Sequence, residues 1–161
     1  MSTPDIAPLD TPLVVAIDHP SLVDLVPPFV ETLCDEPRRF GREGNGNPKP
    51  FASLVRKVVD PGRRRFGAMS DGELLGMASL AGDGEVAIAV VAAHRGHGIG
   101  SCLLEHIALT AERDGYPLLA MQTTRRSRPI ASLGRRFGWT AYDLPHGRVE
   151  LSLQLQCRLT G

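Results

Sequence analysis

The sequence predicts an α/β fold, with a mixed central sheet of about seven strands flanked by four helices. Three stretches carry that reading. Residues 85–100, EVAIAVVAAHRGHGIG, begin as an apolar run from Val86 to Ala93, the pattern of a strand buried on both faces. The run breaks into Arg95-Gly96-His97-Gly98-Ile99-Gly100, and from Ser101 a helix is predicted, because Leu103, Leu104, Ile107, Ala108 and Ala111 recur at intervals of three and four. Residues 118–123 then read as another strand, and strand, helix, strand in this order predicts a right-handed parallel crossover.

The other elements follow in chain order. Residues 1–11, with Pro4, Pro8 and two aspartates, read as a flexible tail, and residues 12–161 as one domain. Residues 13–17 are a short apolar strand. Residues 21–34 carry Leu22, Leu25, Val26, Phe29, Val30 and Leu33 at helical spacing, with Pro27-Pro28 expected to interrupt them, since each proline removes a backbone donor, and the segment reads as two short helical pieces or one kinked helix. Residues 41–50, GREGNGNPKP, are a loop by composition. Residues 51–59 form a helix with Phe51, Leu54, Val55 and Val58 on one side, stopped by Asp60-Pro61-Gly62. Residues 64–69 and 73–80 pair as a hairpin around Ser70-Asp71-Gly72, and residues 81–84 turn the chain into the 86–93 strand. Gly115 ends the long helix. A last helix is expected over 130–137, with Pro129 suited to its first turn. Residues 139–142 and 149–156 close the sheet as an antiparallel pair around Pro145-His146-Gly147.

Composition narrows the function. At 161 residues the chain is long enough to bury a proper core, and its 42% hydrophobic and 22% charged content is that of an ordinary globular domain. Net charge is zero, so nothing draws the whole chain to nucleic acid or to a membrane surface. Aromatics are only 5% and do not interleave with the arginines, which disfavours a nucleic-acid partner. Three cysteines, Cys34, Cys102 and Cys157, lack a C-x-x-C spacing, so neither a disulfide framework nor a metal site is expected and a reducing, cytoplasmic setting is. Residues 1–13 lack a secretory leader pattern, and no apolar stretch approaches membrane-spanning length.

A glycine turn between a buried strand and a helix aims several backbone N–H groups at one point, where the helix adds about half a positive charge. An anion, most naturally a phosphate, suits that point. A Walker A loop is excluded because no Lys precedes Ser101, and a dinucleotide fingerprint because the third glycine and the later acid are missing. The pattern that fits is R-x-x-G-x-G, met by Arg95, Gly98 and Gly100. It resembles the acyl-CoA pyrophosphate loop of the GNAT family, the Gcn5-related N-acetyltransferases, and the predicted element order resembles that family over nearly the whole chain. The resemblance implies acetyl-CoA as co-substrate and no metal. It implies that the fourth and fifth strands splay apart, and it places the pyrophosphate on Arg95, Gly96, His97, Gly98, Ile99, Gly100 and Ser101, and the pantetheine arm beside the exposed backbone of Ile88, Val90 and Val91, with the thioester near that stretch. Ser127 occupies the position where many members carry a cofactor-binding asparagine.

An amine attacks a thioester only when unprotonated, and a free lysine with pKa near 10.4 is almost wholly protonated at neutral pH, so a proton acceptor is needed. Glu85, ten residues before Arg95, reads from pattern alone equally well as a solvated turn acid. The segment is most similar to the catalytic domain of bacterial Pat-type protein lysine acetyltransferases, which carry a general-base glutamate at this spacing; that resemblance assigns the role to Glu85. Gly134 stands where many members have the tyrosine that protonates the leaving thiolate, so that acid is missing. His97 reads as a solvated loop side chain, with phosphate contact as the alternative, and the groups Arg63-Arg64-Arg65 and Arg125, Arg126, Arg128, Arg135, Arg136 read mostly as solvated charges, with the CoA 3′-phosphate or an acidic protein surface as the alternatives. Cys102 and Trp139 read as core. The resulting expectation is direct acetyl transfer to a protein lysine ε-amine by a monomer or homodimer. Two rivals stay open: an acetyltransferase for a small amine or antibiotic, using Asp24, Glu31, Asp35 and Glu36, and a non-catalytic acyl-CoA-binding module.

Overall fold

The computed structural model describes residues 13–18, 20–34, 49–94, 98–124, 135 and 137–155. Among them the chain runs β1 (Leu13–Ala16), α1 (Pro20–Val23), α2 (Val26–Cys34), α3 (Lys49–Val59), β2 (Arg64–Ser70), β3 (Glu73–Leu80), β4 (Val86–Val90), a 3-10 turn (Ala92–His94), α4 (Ile99–Arg113), β5 (Leu118–Thr124), β6 (Thr140–Asp143) and β7 (Arg148–Gln154). Seven strands and four helices are thus present among the described residues, α1 being a single turn. The predicted helix over 130–137 falls almost wholly outside the described residues.

Local chemistry accounts for the boundaries. Two short helices are present, as one of the two expected arrangements requires, but the break falls at Asp24 and Leu25; Pro27 and Pro28 are the second and third residues of α2, where a missing N–H goes unnoticed. The β2–β3 hairpin turns on Asp71 (φ 50°) and Gly72 (φ 77°), both left-handed, as a tight two-residue turn compatible with strand twist requires. β4 stops at Val90, shorter than the apolar run, because Ala92–His94 coils into the 3-10 turn.

The seven strands form two sheets. β1-β2-β3-β4 is antiparallel throughout, and β5-β7-β6 is likewise antiparallel. The predicted single mixed sheet is therefore split, and the parallel contact between β4 and β5 among the described residues is one bridge, Glu85 to Ala120. Strand alternation assigns β4 to two cores. Val86 and Ile88 pack with Leu103, Leu104, Ile107 and Leu119 on the α4 side. Ala87, Ala89 and Val91 pack with Phe29, Leu33, Val55 and Val58 on the α2 and α3 side. This is the two-faced burial that the apolar run predicts. Among the described residues no helix is long and apolar enough to cross a membrane.

Candidate active site

The site is built where β4 and β5 come apart. Ala120 N–H donates to the Gly84 carbonyl at 3.0 Å, and beyond this junction the described residues show no β4–β5 ladder. Gly84 makes the junction possible: its φ is 94°, and a Cβ there would run into the Leu118 carbonyl oxygen, well inside 3.0 Å. Two parallel strands joined at one end and parted beyond it form a wedge, with Glu85 at its closed end. From there β4 turns its other edge to β3, and Val91 N–H donates to the Leu75 carbonyl.

By strand alternation Glu85 lies on the same face as Ala87 and Ala89, the α3 face. Arg63, just after the turn that ends α3, grips it twice: Nη1 donates to Oε1 at 2.8 Å and Nη2 to the Glu85 carbonyl at 2.6 Å. Lys57, in the last turn of α3, places Nζ 3.3 Å from Oε2. The Asp83 carboxylate accepts from the Glu85 N–H at 3.0 Å. Burial pushes the Glu85 carboxyl upward, but the Arg63 hydrogen bond and the Lys57 charge outweigh it, and the net shift is below the ordinary carboxylate value. A depressed folded value means that the ion pairs add stability above the unfolded pKa of about 4.3, and that this is lost as pH falls through the folded value. The gap in unfolding midpoint between wild type and Glu85→Gln is therefore expected at neutral pH and should close in acid below about pH 4. A gap unchanged down to strong acid would show that these ion pairs carry no pH-linked stability.

The second part of the site is the start of α4. Gly98 is its N-cap, left-handed at φ 80°, and no side chain caps the helix. The amides of Ile99, Gly100 and Ser101 belong to the first turn, which has no partners within the helix. Among the described residues, a Cβ on Gly98 would meet nothing within 4 Å. Gly76 of β3 lets the helix settle onto the sheet, since a Cβ there would press on Ile99 and Leu103 at 3.0 and 3.1 Å. Ile99 itself is buried with the core, as are Ile88 and Val91, so the side chains of these three are taken up by packing. Val90 is half-buried against the α4 core. Arg95, Gly96, His97, Ser127 and Gly134 lie outside the described residues.

Other residues fall into place differently from the sequence reading. The three arginines 63–65 each make an ion pair; Arg63 and Arg65 are nearly buried, and Arg64 is 42% exposed, as a solvated charge would be. Arg63 holds Glu85; Arg64 pairs with Asp114; the buried Arg65 donates to the Val59 carbonyl at 3.1 Å and lies 3.8 Å from Asp18. Cys102 is half-buried, not core, and burial followed by the Glu105 charge pushes its thiol upward, away from a reactive thiolate. Trp139 is core, 4% exposed. Lys57 and Arg63 were missed as site residues. They lie 28 and 22 positions from Glu85, and no local pattern marks a pairing over such distances.

With this geometry in view, residues 61–141, just over half of the chain, match the family model of the acetyltransferase (GNAT) domain. The chain belongs to the GNAT family and is an acetyltransferase. Solved structures share the fold. The GNAT domain of S. lividans PAT matches at 26% identity over 65% of this chain and 69% of that one, with a TM-score of 0.54. A GCN5-related N-acetyltransferase from Rhodopseudomonas palustris matches at 16% identity over 91% of this chain and 98% of that one, with a TM-score of 0.65. A structure from Salmonella typhimurium, determined with its cofactor acetyl-CoA, matches at 21% identity over 68% of this chain and 70% of that one, with a TM-score of 0.53.

Proposed function

We propose that this protein transfers the acetyl group of acetyl-CoA directly to a lysine ε-amine of a protein, with Glu85 as proton acceptor. The observation that carries the reading is the contact already made at the wedge: the Glu85 carboxylate holds a lysine ammonium, that of Lys57, at 3.3 Å. A site that binds one primary ammonium beside the parted strands suits another. The match to the GNAT domain of S. lividans PAT agrees with the Pat-type sequence resemblance from which the acceptor is read.

In this reading the pyrophosphate lies against the amides of Gly98, Ile99, Gly100 and Ser101, with Arg95, Gly96, His97 and Ser127 as further cofactor contacts. The pantetheine arm runs along the β4 backbone at Ile88, Val90 and Val91 and brings the thioester into the wedge. The incoming lysine displaces Lys57 from Oε2 and gives up a proton to Glu85, directly or through water. The neutral amine attacks the thioester carbon, the C–S bond breaks, CoA leaves as the thiolate, and the nitrogen gives its second proton to solvent. Arg63 keeps Glu85 ionised across neutral pH at some expense of basicity. Neither described tyrosine serves as the acid. Tyr116 lies past the far end of α4, about 22 Å of helix from Gly98, and Tyr142 is 53% exposed on β6. A thiol with pKa near 8.5, by analogy with cysteine, is a good enough leaving group to take its proton from water.

Gly98→Val tests the cofactor half. A β-branched residue at φ 80° costs about 1–2 kcal/mol, which the fold should survive, but its side chain would stand beside the first-turn amides where the pyrophosphate is proposed to lie. The variant should unfold cooperatively and lose the thermal stabilisation that acetyl-CoA gives wild type. An undiminished shift in the variant would remove the loop from the binding site. For the acceptor, turnover is compared across lysine-bearing proteins, polyamines and aminoglycosides. Turnover confined to the small amines would replace the protein-lysine reading by the small-amine one, in which the exposed Asp24 and Glu31 become candidates for holding a cation.

A further inference from the structure

The chain carries 18 Lys and Arg residues, and only two of them, Lys49 and Lys57, are lysines. One of those two is in contact with the carboxylate at the closed end of the wedge. We propose that Lys57 is itself an acetyl acceptor, so that the enzyme acetylates its own α3 helix within one molecule and thereby changes the charge around Glu85. The inference rests on the acetyl-transfer reading above and on Glu85 as proton acceptor.

The geometry supplies the proton acceptor that an acceptor amine needs. Lys57 Nζ lies 3.3 Å from Oε2, within reach of the group proposed to take its proton. Its side chain is 39% exposed, so the amine is not locked in the core. The stem is a flexible four-carbon chain, and the wedge opens one strand residue, about 3.3 Å, beyond Glu85. No other described amine or guanidinium combines these features. Arg63 holds Glu85 more tightly, but a guanidinium stays protonated and is no nucleophile.

The step balances without a further reactant. The ammonium of Lys57 gives one proton to Glu85, which passes it to solvent. The nitrogen lone pair forms a bond to the thioester carbon, the C–S bond breaks, and the sulfur leaves with the electron pair. The second proton lost by nitrogen ends on that sulfur, giving CoA thiol and an Nε-acetyl-lysine. The amide so formed is too stable to pass its acetyl group on, so this is a modification and not an intermediate. Its effect is electrostatic. Glu85 is faced by Lys57, Arg63 and Asp83, and acetylation removes one of the two cations. The carboxyl then becomes more basic, and the oxygen that an external lysine must reach is no longer held by a resident ammonium.

The test uses the full chain and acetyl-CoA labelled in its acetyl group. Acetylation at Lys57 and at Lys49 is followed by peptide mass spectrometry at two protein concentrations, in wild type, in Glu85→Gln and in the urea-unfolded chain. Lys57 should gain the label at least tenfold faster than Lys49, at a rate per molecule that does not depend on protein concentration. Glu85→Gln should slow it at least tenfold, and unfolding should erase the preference for Lys57. A second readout does not need the Glu85→Gln variant to fold: on an external amine, the acidic limb of the rate should lie at higher pH in Lys57→Gln than in the charge-preserving Lys57→Arg. An unlabelled Lys57, in a protein that is stabilised by acetyl-CoA and acetylates an external amine, would overturn the inference and leave the proposed function standing. Equal labelling of both lysines, or a rate that scales with protein concentration, would also overturn it. Failure of acetyl-CoA to stabilise the protein at all would instead overturn the acetyl-CoA reading on which the inference stands.

Discussion

Glu85→Gln is expected to lower kcat by about 10²–10⁴ and to leave acetyl-CoA binding unchanged, the usual effect of removing a general base. Glutamine keeps the shape of the side chain and can still accept from Arg63, so the wedge should survive. What it loses is the capacity to take a proton and to hold a second cation. Because Arg63 and Lys57 hold the wild-type carboxyl below its ordinary range, the acidic limb of the rate should fall at lower pH than a free glutamate would give. Steady-state kinetics and a thermal-shift titration separate the two quantities. Near-normal turnover in the Gln variant would make the Arg63–Glu85–Lys57 cluster a structural clamp and leave the proton acceptor elsewhere.

The second large effect is on the frame. Gly84→Ala drives a methyl into the Leu118 carbonyl oxygen, a backbone atom that cannot swing aside, on a residue whose φ of 94° disfavours any side chain. The left-handed conformation costs about 1–2 kcal/mol and the overpacking about 1–3, so a loss of about 2–5 kcal/mol is expected. Relief of the clash requires β4 and β5 to separate at their bridge, which would open the closed end of the wedge beside Glu85. Denaturant unfolding measures the loss. A substitution that leaves stability within about 0.5 kcal/mol, the range of a neutral surface change, would show that the junction is not close-packed.

Much of this frame was legible in the residues. β4 stood out because an apolar run with no polar alternation can only be buried on both faces, and Val86 and Ile88 against Ala87 and Ala89 divide as that pattern requires. α4 was legible from Leu103, Leu104 and Ile107, and its start from the glycines, although it begins at Ile99 and not at Ser101. The parting of β4 and β5 came only with the family resemblance and was not legible in the residues themselves. It depends on how far β4 and β5 stay in register, and a close backbone approach at Gly84 leaves only a glycine in the sequence, one of 17. The partners of Glu85 were hidden for the same reason. Arg63 looked like one of three equivalent arginines, yet each of the three turns to a different carboxylate once the turn at residues 60–62 and the hairpin are folded. Lys57 looked like a helix-surface cation, and only the packing of α3 against β4 brings it to the wedge.

The central claim is acetyl transfer from acetyl-CoA to a lysine amine at the wedge. It is tested most directly by mixing the protein with acetyl-CoA and a lysine-bearing protein acceptor, and measuring together the CoA thiol released and the acetyl-lysine formed on the acceptor. One thiol should appear for each acetyl-lysine on the acceptor, after allowance for a single acetyl group per enzyme chain at Lys57. Both products should fall by about 10²–10⁴ in Glu85→Gln. Saturable acetyl-CoA binding with no thiol release against any amine would contradict the claim and make the protein an acyl-CoA-binding module.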